Sequence, residues 1–462
     1  MLFHLSQIHK TDDTICALAT PIGVSALGIV RLSGSKALAI VENLTKLSQP
    51  LKSHEIIKTT IKNPKTKERV DEVCLSYFKN PKSYTGEDMI EIYAHGNPHI
   101  LNDILHLCVQ NGGRLAKPGE FSSRAFLNGK MDLTQAEAVS GLIHSKSSLT
   151  RKLAHKQLKG EFFGILKELK EALVQTLSHI EAHLDFETEG DVKEFSQDGF
   201  LLNKTENLQK KVEGLTTSYK QNQKLMQGLK VVFVGKPNVG KSSLFNAFLN
   251  EERAIVTEVP GTTRDVLYET VFFDQSEIEI LDTAGVHKTE DVVEKQGIER
   301  TKKAINSADI IFVVVHAHED FQKEDHEILT WLHDKKEHCV LLLNKADLGK
   351  RNTPQIFFQN SFYVSAKSGE GIDELKRFLK ENYLEKEIND AEFIVTHQRH
   401  YEILEKTNEK IQSLKEGIQN KISLEYLACD VSEALHLLGE ITGETTSEEV
   451  IQKIFSEFCI GK

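Results

Sequence analysis

The segment Gly235-Lys-Pro-Asn-Val-Gly240-Lys241-Ser242 is the part of the chain whose residue types most clearly indicate chemistry. It follows an apolar run, Lys230–Val234, and matches the pattern G-x-x-x-x-G-K-[ST]. In such loops the glycines let backbone N–H groups surround phosphates, the lysine reaches the β and γ oxygens, and the hydroxyl binds Mg²⁺. The same pattern also occurs in ordinary glycine-rich turns. It therefore predicts a nucleoside triphosphate site that other motifs must support.

Three further motifs follow apolar runs and predict which nucleotide binds. Asp282-Thr-Ala-Gly285 supplies a carboxylate for the Mg²⁺ shell and a glycine N–H near the γ-phosphate. In Asn344-Lys345-Ala-Asp347 the Asp347 carboxylate can accept the N1–H and the exocyclic amine of guanine, whereas adenine offers the wrong donors. Ser365-Ala366-Lys367 completes the base pocket through a backbone N–H. Four motifs in this order predict a GTP-hydrolysing enzyme of the P-loop class.

The residues that would accelerate hydrolysis are less evident. Many signalling GTPases place a glutamine directly after D-x-x-G to orient water, but this chain has Val286 there. Arg264 could supply a cation to the phosphates, and it could equally anchor its own loop through a salt bridge. Asn238 is a neutral oxygen donor inside the phosphate loop, which suits a hard alkali cation. A bound K⁺ could therefore take the place of an arginine.

The apolar patterns indicate which elements position these motifs. Short β-rich runs at Thr14–Ala19, Leu27–Leu32, Val70–Phe78 and Met89–His95, with a helix near Pro98–Asn111, predict an α+β domain over residues 1–128. Helical spacing, as in Phe162–Leu184 and Phe200–Tyr219, predicts a discontinuous helical domain over 129–221 plus 389–462. Between them, apolar runs alternating with helical segments predict an inserted α/β, Ras-like P-loop domain over 222–388. Its strands are expected at Lys230–Val234, Ile278–Leu281, Ile310–Val315, Val340–Leu343 and Phe362–Val364.

Composition limits the class of protein. At 462 residues, the chain is long enough for several domains. A net charge of −11 and a pI of about 6.0 disfavour a surface that binds nucleic acid throughout, so any RNA contact should be local or shared with a partner. The six cysteines form no C-x-x-C pair, which fits neither a disulfide framework nor a zinc site. No stretch of about eighteen apolar residues occurs, so we expect a cytoplasmic protein with no membrane contact.

Motifs along the whole length resemble the MnmE (TrmE) family, the tRNA-modification GTPases among the TrmE-Era-EngA-like P-loop proteins. Outside the nucleotide motifs, the segments that carry the resemblance are Ala19–Pro21, Gly28–Gly34, Tyr84–Asp88, Glu91, His95–Gly96, Lys117–Phe121, Arg124–Lys130, Leu133–Ala138 and Phe458–Lys462. The resemblance implies a homodimer that joins the flavoprotein MnmG (GidA) in a heterotetramer or larger complex. This assembly would form a (carboxymethyl)aminomethyl group at C5 of the wobble uridine of certain tRNAs. A one-carbon tetrahydrofolate, of the 5,10-methylene or 5-formyl type, would give the carbon, glycine or ammonium would give the nitrogen, and FAD would sit on the partner only.

The resemblance also implies roles for residues in the nucleotide domain. K⁺ would use Asn238, Thr257, Val259 and Thr262, and Mg²⁺ would use Ser242 and Thr263. Glu294 would position the attacking water through a second water, although sequence alone favours a solvated helical glutamate there. Together with Lys241, the residues Glu294, Asp282 and Gly285 form the implied catalytic set. The implied GTP contacts are Asn238, Val239, Gly240, Lys241, Ser242, Ser243, Thr257, Glu258, Val259, Pro260, Gly261, Thr262, Thr263, Asp282, Thr283, Ala284, Gly285, Asn344, Lys345, Asp347, Ser365, Ala366 and Lys367. Two such domains would meet face to face when K⁺ and GTP bind, which activates hydrolysis.

The amino-terminal domain resembles a folate-binding and dimerisation domain. Arg31, Glu91 and Lys130 match its folate positions, and Lys462 would close the pocket from the tail. Cations suit the glutamate carboxylates of folate and a carboxylate suits its pterin N–H groups, although each residue alone is also compatible with a surface ion pair. Cys459 is either a reactive nucleophile or an exposed thiol on a flexible tail.

Two other functions are compatible with the nucleotide motifs. A ribosome-assembly GTPase of the Era or Der kind would need a KH-type Gly-x-x-Gly domain, and none is recognisable after Asn382. A simple switch that binds and releases partners would need only the central domain. A simple switch would bind no folate, whereas the family function requires folate binding, so a folate-binding measurement distinguishes the two.

Overall fold

The computed structural model describes residues 13–47, 49–145, 148–185, 199–227, 229–249, 269–273, 276–282, 301–350, 358–384 and 395–462. Contacts divide the chain into two compact units. The first unit contains Met1–His144, Leu153–Thr217 and Ile394–Lys462. The second unit contains Ser145–Lys152 and Ser218–Phe393. The predicted domain limits at 128, 221 and 388 stay predictions.

The amino-terminal part of the first unit is a six-stranded sheet covered by helices. The strands have the order β3-β4-β5-β2-β1-β6, and neighbouring strands of this order are antiparallel except β1 and β6, which are parallel. Alternate residues of the strands are apolar and buried, and they pack under α1 and α2. The elements are β1 (Thr14–Leu18), β2 (Ser25–Ser33), α1 (Ala37–Leu44), β3 (Ile56–Lys62), β4 (Arg69–Phe78), β5 (Met89–Gly96), α2 (Pro98–Gln110), β6 (Gly113–Leu115) and α3 (Glu120–Leu127).

Four helices follow in the described part of the chain. They are α4 (Leu133–Ile143), α5 (Ser148–Leu158), α6 (Glu161–Asp185) and α7 (Gly199–Gln227). Helix α4 begins with a capping box, in which the Asp132 carboxylate accepts the Gln135 N–H and the Gln135 side chain accepts the Asp132 N–H, both at 3.1 Å. The predicted helix at Phe162–Leu184 is confirmed, and α7 runs beyond the predicted Tyr219 to Gln227.

The second unit is built on a mostly parallel sheet, as the alternating pattern predicted. The strand order is β12-β11-β10-β7-β9-β8, and only β8 with β9 is antiparallel. Successive residues of β7 enter opposite apolar layers, with Val231 and Phe233 on one face and Val232 and Val234 on the other. The elements are β7 (Leu229–Val234), α8 (Lys241–Leu249), β8 (Glu269–Phe273), β9 (Ser276–Asp282), β10 (Ile310–His316), α9 (Lys323–Trp331), β11 (Cys339–Asn344), β12 (Asn360–Tyr363) and α10 (Ile372–Leu379).

The topology of this sheet brings the predicted motifs together. Strands β10, β7 and β11 are parallel neighbours, so their carboxyl ends meet at one edge, where Gly235, His316 and Asn344 lie. Strand β12 begins two residues before the predicted Phe362, because the polar residues Asn360 and Ser361 also pair with β11. Polar residues at a sheet edge leave no apolar signal in the sequence.

The chain then returns to the first unit. Helices α11 (Gln398–Gln419), α12 (Leu424–Thr442) and α13 (Glu448–Ser456) complete its helical part, and α12 packs against both α11 and α6. Arg399 of α11 donates two hydrogen bonds of 3.0 Å to the Glu137 carboxylate of α4, and His400 lies 2.6 Å from the same group. This buried network joins helices that precede and follow the second unit in sequence. In the part of the chain that the structure describes, no helix has the length and apolar character needed to cross a membrane.

Candidate nucleotide-binding and amino-terminal sites

The phosphate loop joins β7 to α8 in a conformation that its glycines require. Gly240 has a φ of +92°, and a side chain there would collide with the Asn344 amide. A side chain at Gly235 would overlap the Val314 carbonyl of β10. Asn238 also adopts a positive φ of 64°, a region that asparagine tolerates better than most residues. The loop therefore lies directly against two neighbouring strands.

Lys241 is held at this loop by backbone carbonyls. Its side chain is only 7% exposed, and its Nζ donates to the oxygens of Gly235 at 2.7 Å and Lys236 at 2.9 Å. Ser242 and Ser243 lie exposed in the first turn of α8, where backbone N–H groups and the helix dipole favour anions. A fixed ammonium, exposed hydroxyls and a helix amino terminus form a phosphate-binding arrangement.

Asn344 connects the phosphate loop to the base motifs. The residue is 1% exposed, its Nδ2 donates to the Val239 carbonyl at 2.7 Å, and its Oδ1 accepts the Ala366 N–H at 3.4 Å. Lys345, with a φ of 62°, donates from Nζ to the Asn238 carbonyl at 3.2 Å. Three of the predicted motifs thus touch one another. Motif spacing alone did not reveal this bridging role of Asn344.

Asp347 presents a carboxylate suited to guanine. It lies in the short helical turn Ala346–Leu348, and the Ser365 hydroxyl donates to its Oδ1 at 2.7 Å. This hydrogen bond lowers the pKa of Asp347, and the nearby positive charge of Lys367 lowers it further. Desolvation opposes this shift but does not outweigh it. The carboxylate is therefore ionised at neutral pH and oriented by a hydroxyl partner.

Several implied site residues lie outside the described part of the chain. For Asp282 the structure describes the backbone, which ends β9 and pairs with Phe233 of β7. The K⁺ and Mg²⁺ positions in the loop before β8, and the water-positioning glutamate, cannot be compared with the structure. The residues outside the described part are Thr257, Glu258, Val259, Pro260, Gly261, Thr262, Thr263, Arg264, Thr283, Ala284, Gly285, Val286 and Glu294.

In the first unit, the structure brings Arg31, Glu91 and the carboxyl-terminal tail together. Arg31 of β2 and Glu91 of β5 are opposite in register, and their side chains form a bidentate contact of 2.8 and 3.0 Å. The two side chains are 14% and 13% exposed, so the pair is largely buried rather than a solvated surface pair. Arg31 Nη1 also donates to the Gly461 carbonyl at 2.9 Å. Burial lowers the pKa of the neighbouring Lys462 side chain, and repulsion from the Arg31 guanidinium lowers it further.

Aromatic residues that the sequence reasoning had not assigned to the site surround this cluster. The Arg31 guanidinium lies over the Tyr84 and Phe121 rings at 5.8 and 5.7 Å. Tyr93 donates its hydroxyl to Glu91 Oε2 at 2.6 Å, and burial together with this bond raises the pKa of Tyr93 to about 12. Tyr84 and Phe121 both belong to segments that carried the family resemblance, which was the available signal.

Lys130 and Cys459 are placed differently from that cluster. Lys130 Nζ donates to the Pro81 carbonyl at 3.0 Å, and no hydrogen bond or ion pair joins it to Arg31 or Glu91 among the described residues. The Cys459 thiol is exposed, but its backbone is held, since its carbonyl accepts the N–H groups of Gly119 and Lys462 at 3.4 and 3.3 Å. The tail is thus anchored to the protein, and the reactivity of its thiol stays a prediction.

Comparisons with known proteins agree with this organisation. The family model described as "GTP-binding protein TrmE N-terminus" matches residues 14–130, and the model described as "MnmE helical domain" matches residues 133–459. The chain is 38% identical over 460 residues to the tRNA modification GTPase MnmE of Acetivibrio thermocellus, covering 98% of this chain and 99% of that protein. It is 42% identical over 458 residues to the MnmE of Aquifex aeolicus, covering 97% and 100%.

Two solved structures each match about a third of the chain. Era in complex with MgGDPNP and a fragment of 16S ribosomal RNA is 26% identical, with a TM-score of 0.26, over 33% of this chain and 56% of that one. The G domain of the FeoB iron transporter of T. maritima is 24% identical, with a TM-score of 0.26, over 33% and 97%. The relatives that match along nearly the full length decide the assignment, and it agrees with the motif prediction. The chain belongs to the MnmE family of tRNA modification GTPases.

Proposed function

We propose that this protein hydrolyses GTP in the cytoplasm to drive formation of a (carboxymethyl)aminomethyl group at C5 of the wobble uridine of certain tRNAs, together with the flavoprotein MnmG. The observation that supports hydrolysis most directly is the contact among the phosphate loop, Asn344 and Ala366, with Lys241 held beside it. The names of the full-length relatives support tRNA as the substrate. A net charge of −11 fits a protein that shares the tRNA phosphates with its partner.

Within this proposal each residue of the nucleotide site has a defined task. Lys241 binds the β and γ phosphate oxygens, and Asp347 accepts two N–H groups of guanine. Ser242, which lies exposed in the first turn of α8, and Thr263 would hold Mg²⁺, and the ion would neutralise charge on the phosphates. Asp282 and Gly285 act on the metal shell and the γ-phosphate. Glu294 orients the attacking water.

K⁺ is proposed to supply the positive charge that an arginine supplies to the phosphates in other GTPases. Asn238 is exposed in the phosphate loop, its backbone carbonyl is bound by Lys345, and its side-chain amide oxygen is a suitable ligand for a hard cation. The other ligands would be the carbonyls of Thr257 and Val259 and the residue Thr262. The charge of K⁺ would favour face-to-face pairing of two nucleotide domains.

GTP turnover should be at least about tenfold faster in KCl than in NaCl at equal ionic strength, since groups that supply this positive charge accelerate hydrolysis by roughly 10³–10⁵. The Asn238→Ala variant should lose this stimulation, because it removes a K⁺ ligand. Asn246→Ala, on the exposed face of α8, is the matched control and should keep it. Equal rates of the unaltered protein in the two salts would contradict the K⁺ assignment.

A homodimer is proposed to form through the amino-terminal domain. The connection between β1 and β2 and the start of β2 expose three apolar side chains, Ile22 at 78%, Val24 at 92% and Leu27 at 51%. Clustered apolar exposure of this kind is typical of an interaction surface. It supports pairing of two copies at this place.

The cluster of Arg31, Glu91 and Lys462 is proposed to bind a one-carbon tetrahydrofolate, of the 5,10-methylene or 5-formyl type, with Lys130 as a further ligand. The donor set fits the ligand, because guanidinium and ammonium groups can bind folate carboxylates and Glu91 can accept pterin N–H groups. The Tyr84 and Phe121 rings beside Arg31 suit a flat heterocycle. When bound, the folate supplies the methylene carbon, and FAD remains on MnmG.

Arg31→Ala should weaken binding of 5-formyltetrahydrofolate by roughly 10–100-fold, since a hydrogen bond to a charged group contributes about 1.5–3 kcal/mol. Lys462→Ala should weaken binding as well, and it leaves the buried Arg31–Glu91 pair intact. Isothermal titration calorimetry gives the dissociation constants, with the exposed Arg69→Ala as control. If the unaltered protein binds no folate, the result would favour the alternative function, a GTPase switch that only binds and releases partners.

A further inference from the structure

Two histidines and a glutamate lie close together at the end of β10, outside the predicted nucleotide contacts. His316 is the last residue of the strand, and His318 and Glu319 follow it. One ligand atom from each of the three side chains lies within 4.8 Å of the others. The two imidazole rings meet edge to face, with centroids 5.3 Å apart. Three potential metal ligands thus occupy a space small enough for one ion.

One ring nitrogen of each histidine in this cluster has no hydrogen-bond partner among the described residues. Among the described residues, Nδ1 of His316 and Nδ1 of His318 are buried and make no hydrogen bond. Buried polar atoms without partners are uncommon in folded proteins and indicate a missing ligand or water. A neutral imidazole is the form that binds metal ions.

The charges around the cluster tolerate a cation. Lys236 of the phosphate loop lies 3.5 Å from Glu319 Oε2 and 3.4 Å from Asp325 Oδ2. The Lys236 ammonium therefore faces two carboxylates, which also offset the nearby charge of Lys345. Asp325 Oδ1 is buried with no hydrogen bond among the described residues. If Glu319 turns to a metal ion, Lys236 keeps Asp325 as its partner. Ligand binding does not leave an unpaired buried charge.

We propose that His316, His318 and Glu319 bind a divalent transition-metal ion of the Zn²⁺ class. Two imidazoles and one carboxylate, with a fourth position open to water, are a ligand set that Zn²⁺ takes at about 2.0–2.2 Å. Imidazole ligands also separate this site from Mg²⁺, which prefers oxygen. The site adjoins the nucleotide motifs, since His316 pairs with Asn344 in register and the Ala317 N–H donates to the Asn344 carbonyl at 2.7 Å.

Titration of the full-length protein with Zn²⁺ in excess Mg²⁺ tests the proposal, with isothermal calorimetry for affinity and Co²⁺ absorption bands for coordination. His318→Ala and Glu319→Gln should each weaken Zn²⁺ binding by about 10–100-fold or more. Both side chains are partly exposed, at 29% and 38%, so these variants should fold. His333→Ala removes an exposed histidine of the same unit, 73% exposed, and should bind Zn²⁺ like the unaltered protein.

The outcome is decided by the difference between these variants. Loss of one Zn²⁺ equivalent and of the Co²⁺ bands in His318→Ala and Glu319→Gln, but not in His333→Ala, supports the site. Zn²⁺ binding by His318→Ala that equals the unaltered protein, or no Zn²⁺ binding by any of them, overturns it. Melting curves of each variant show that a difference does not arise from unfolding.

Discussion

Asp347→Asn should lower the affinity for GTP and GDP by roughly 10²–10⁴-fold, because two hydrogen bonds to a charged acceptor contribute about 1.5–3 kcal/mol each. Asparagine presents an amide donor where guanine also presents a donor. Xanthine carries an oxygen in place of the exocyclic amine, so the same variant should gain affinity for xanthine nucleotides. The hydrogen bond from Ser365 at 2.7 Å keeps the position of the side chain in both proteins.

Competition against a fluorescent GDP analogue measures this exchange of specificity. GDP and XDP are each titrated against the unaltered protein, Asp347→Asn and Asp373→Asn, the last of which alters an exposed aspartate in the first turn of α10. The control should prefer GDP as the unaltered protein does. If Asp347→Asn held GDP with undiminished affinity, the assignment of Asp347 to the base would be wrong.

Glu137→Ala should lower the free energy of unfolding of the first unit by about 3–5 kcal/mol, because it removes a buried carboxylate and leaves the half-buried Arg399 cation without its ion-pair partner. Glu137 is 5% exposed and binds both Arg399 and His400. Burial alone would raise the pKa of Glu137, but attraction to His400 and Arg399 outweighs it and holds the pKa well below its usual range. The carboxylate is therefore charged at neutral pH and contributes through this network.

Urea unfolding followed by circular dichroism measures this loss. Glu402→Ala on α11 is a suitable control, since Glu402 is exposed and accepts a hydrogen bond from the Gln398 side chain one turn earlier in the same helix. Surface substitutions of this kind change stability by about 0.5 kcal/mol or less. A Glu137→Ala protein with the same unfolding midpoint as Glu402→Ala would show that the network adds no stability.

The nucleotide site was largely predictable because its motifs are local. Each motif is a short segment at the end of a buried strand, and β7, β9, β10 and β11 are visible as apolar runs. The order of the motifs also indicates their meeting point, because parallel strands place their carboxyl ends at one edge. The sequence could not show that Asn344 bridges the loop and Ala366, since that contact depends on the depth at which its side chain is buried.

Contacts between distant segments were not predictable from spacing. Glu137 and His400 are 263 positions apart, and the pairing of Arg31 with Glu91 depends on the register of β2 against β5. The sequence pattern did not predict strand β3, because about half of its residues are polar and Ile56 is 67% exposed. The His316-x-His318-Glu319 segment did not by itself predict a metal site. Histidines near a strand end become candidate ligands only when the structure shows that their ring nitrogens make no hydrogen bond.

The central claim is that this protein hydrolyses GTP at the loop that carries Lys241. The most direct test measures hydrolysis of GTP and of ATP by the purified protein and by Lys241→Ala, with Mg²⁺ and K⁺ present. The account predicts turnover of GTP, little turnover of ATP, and a loss of at least about 10²-fold in Lys241→Ala, since the ammonium stabilises charge on the transferred phosphoryl group. The exposed Lys323→Ala should retain full activity. Equal hydrolysis of the two nucleotides, or full GTP turnover by Lys241→Ala, would contradict the assignment of this loop.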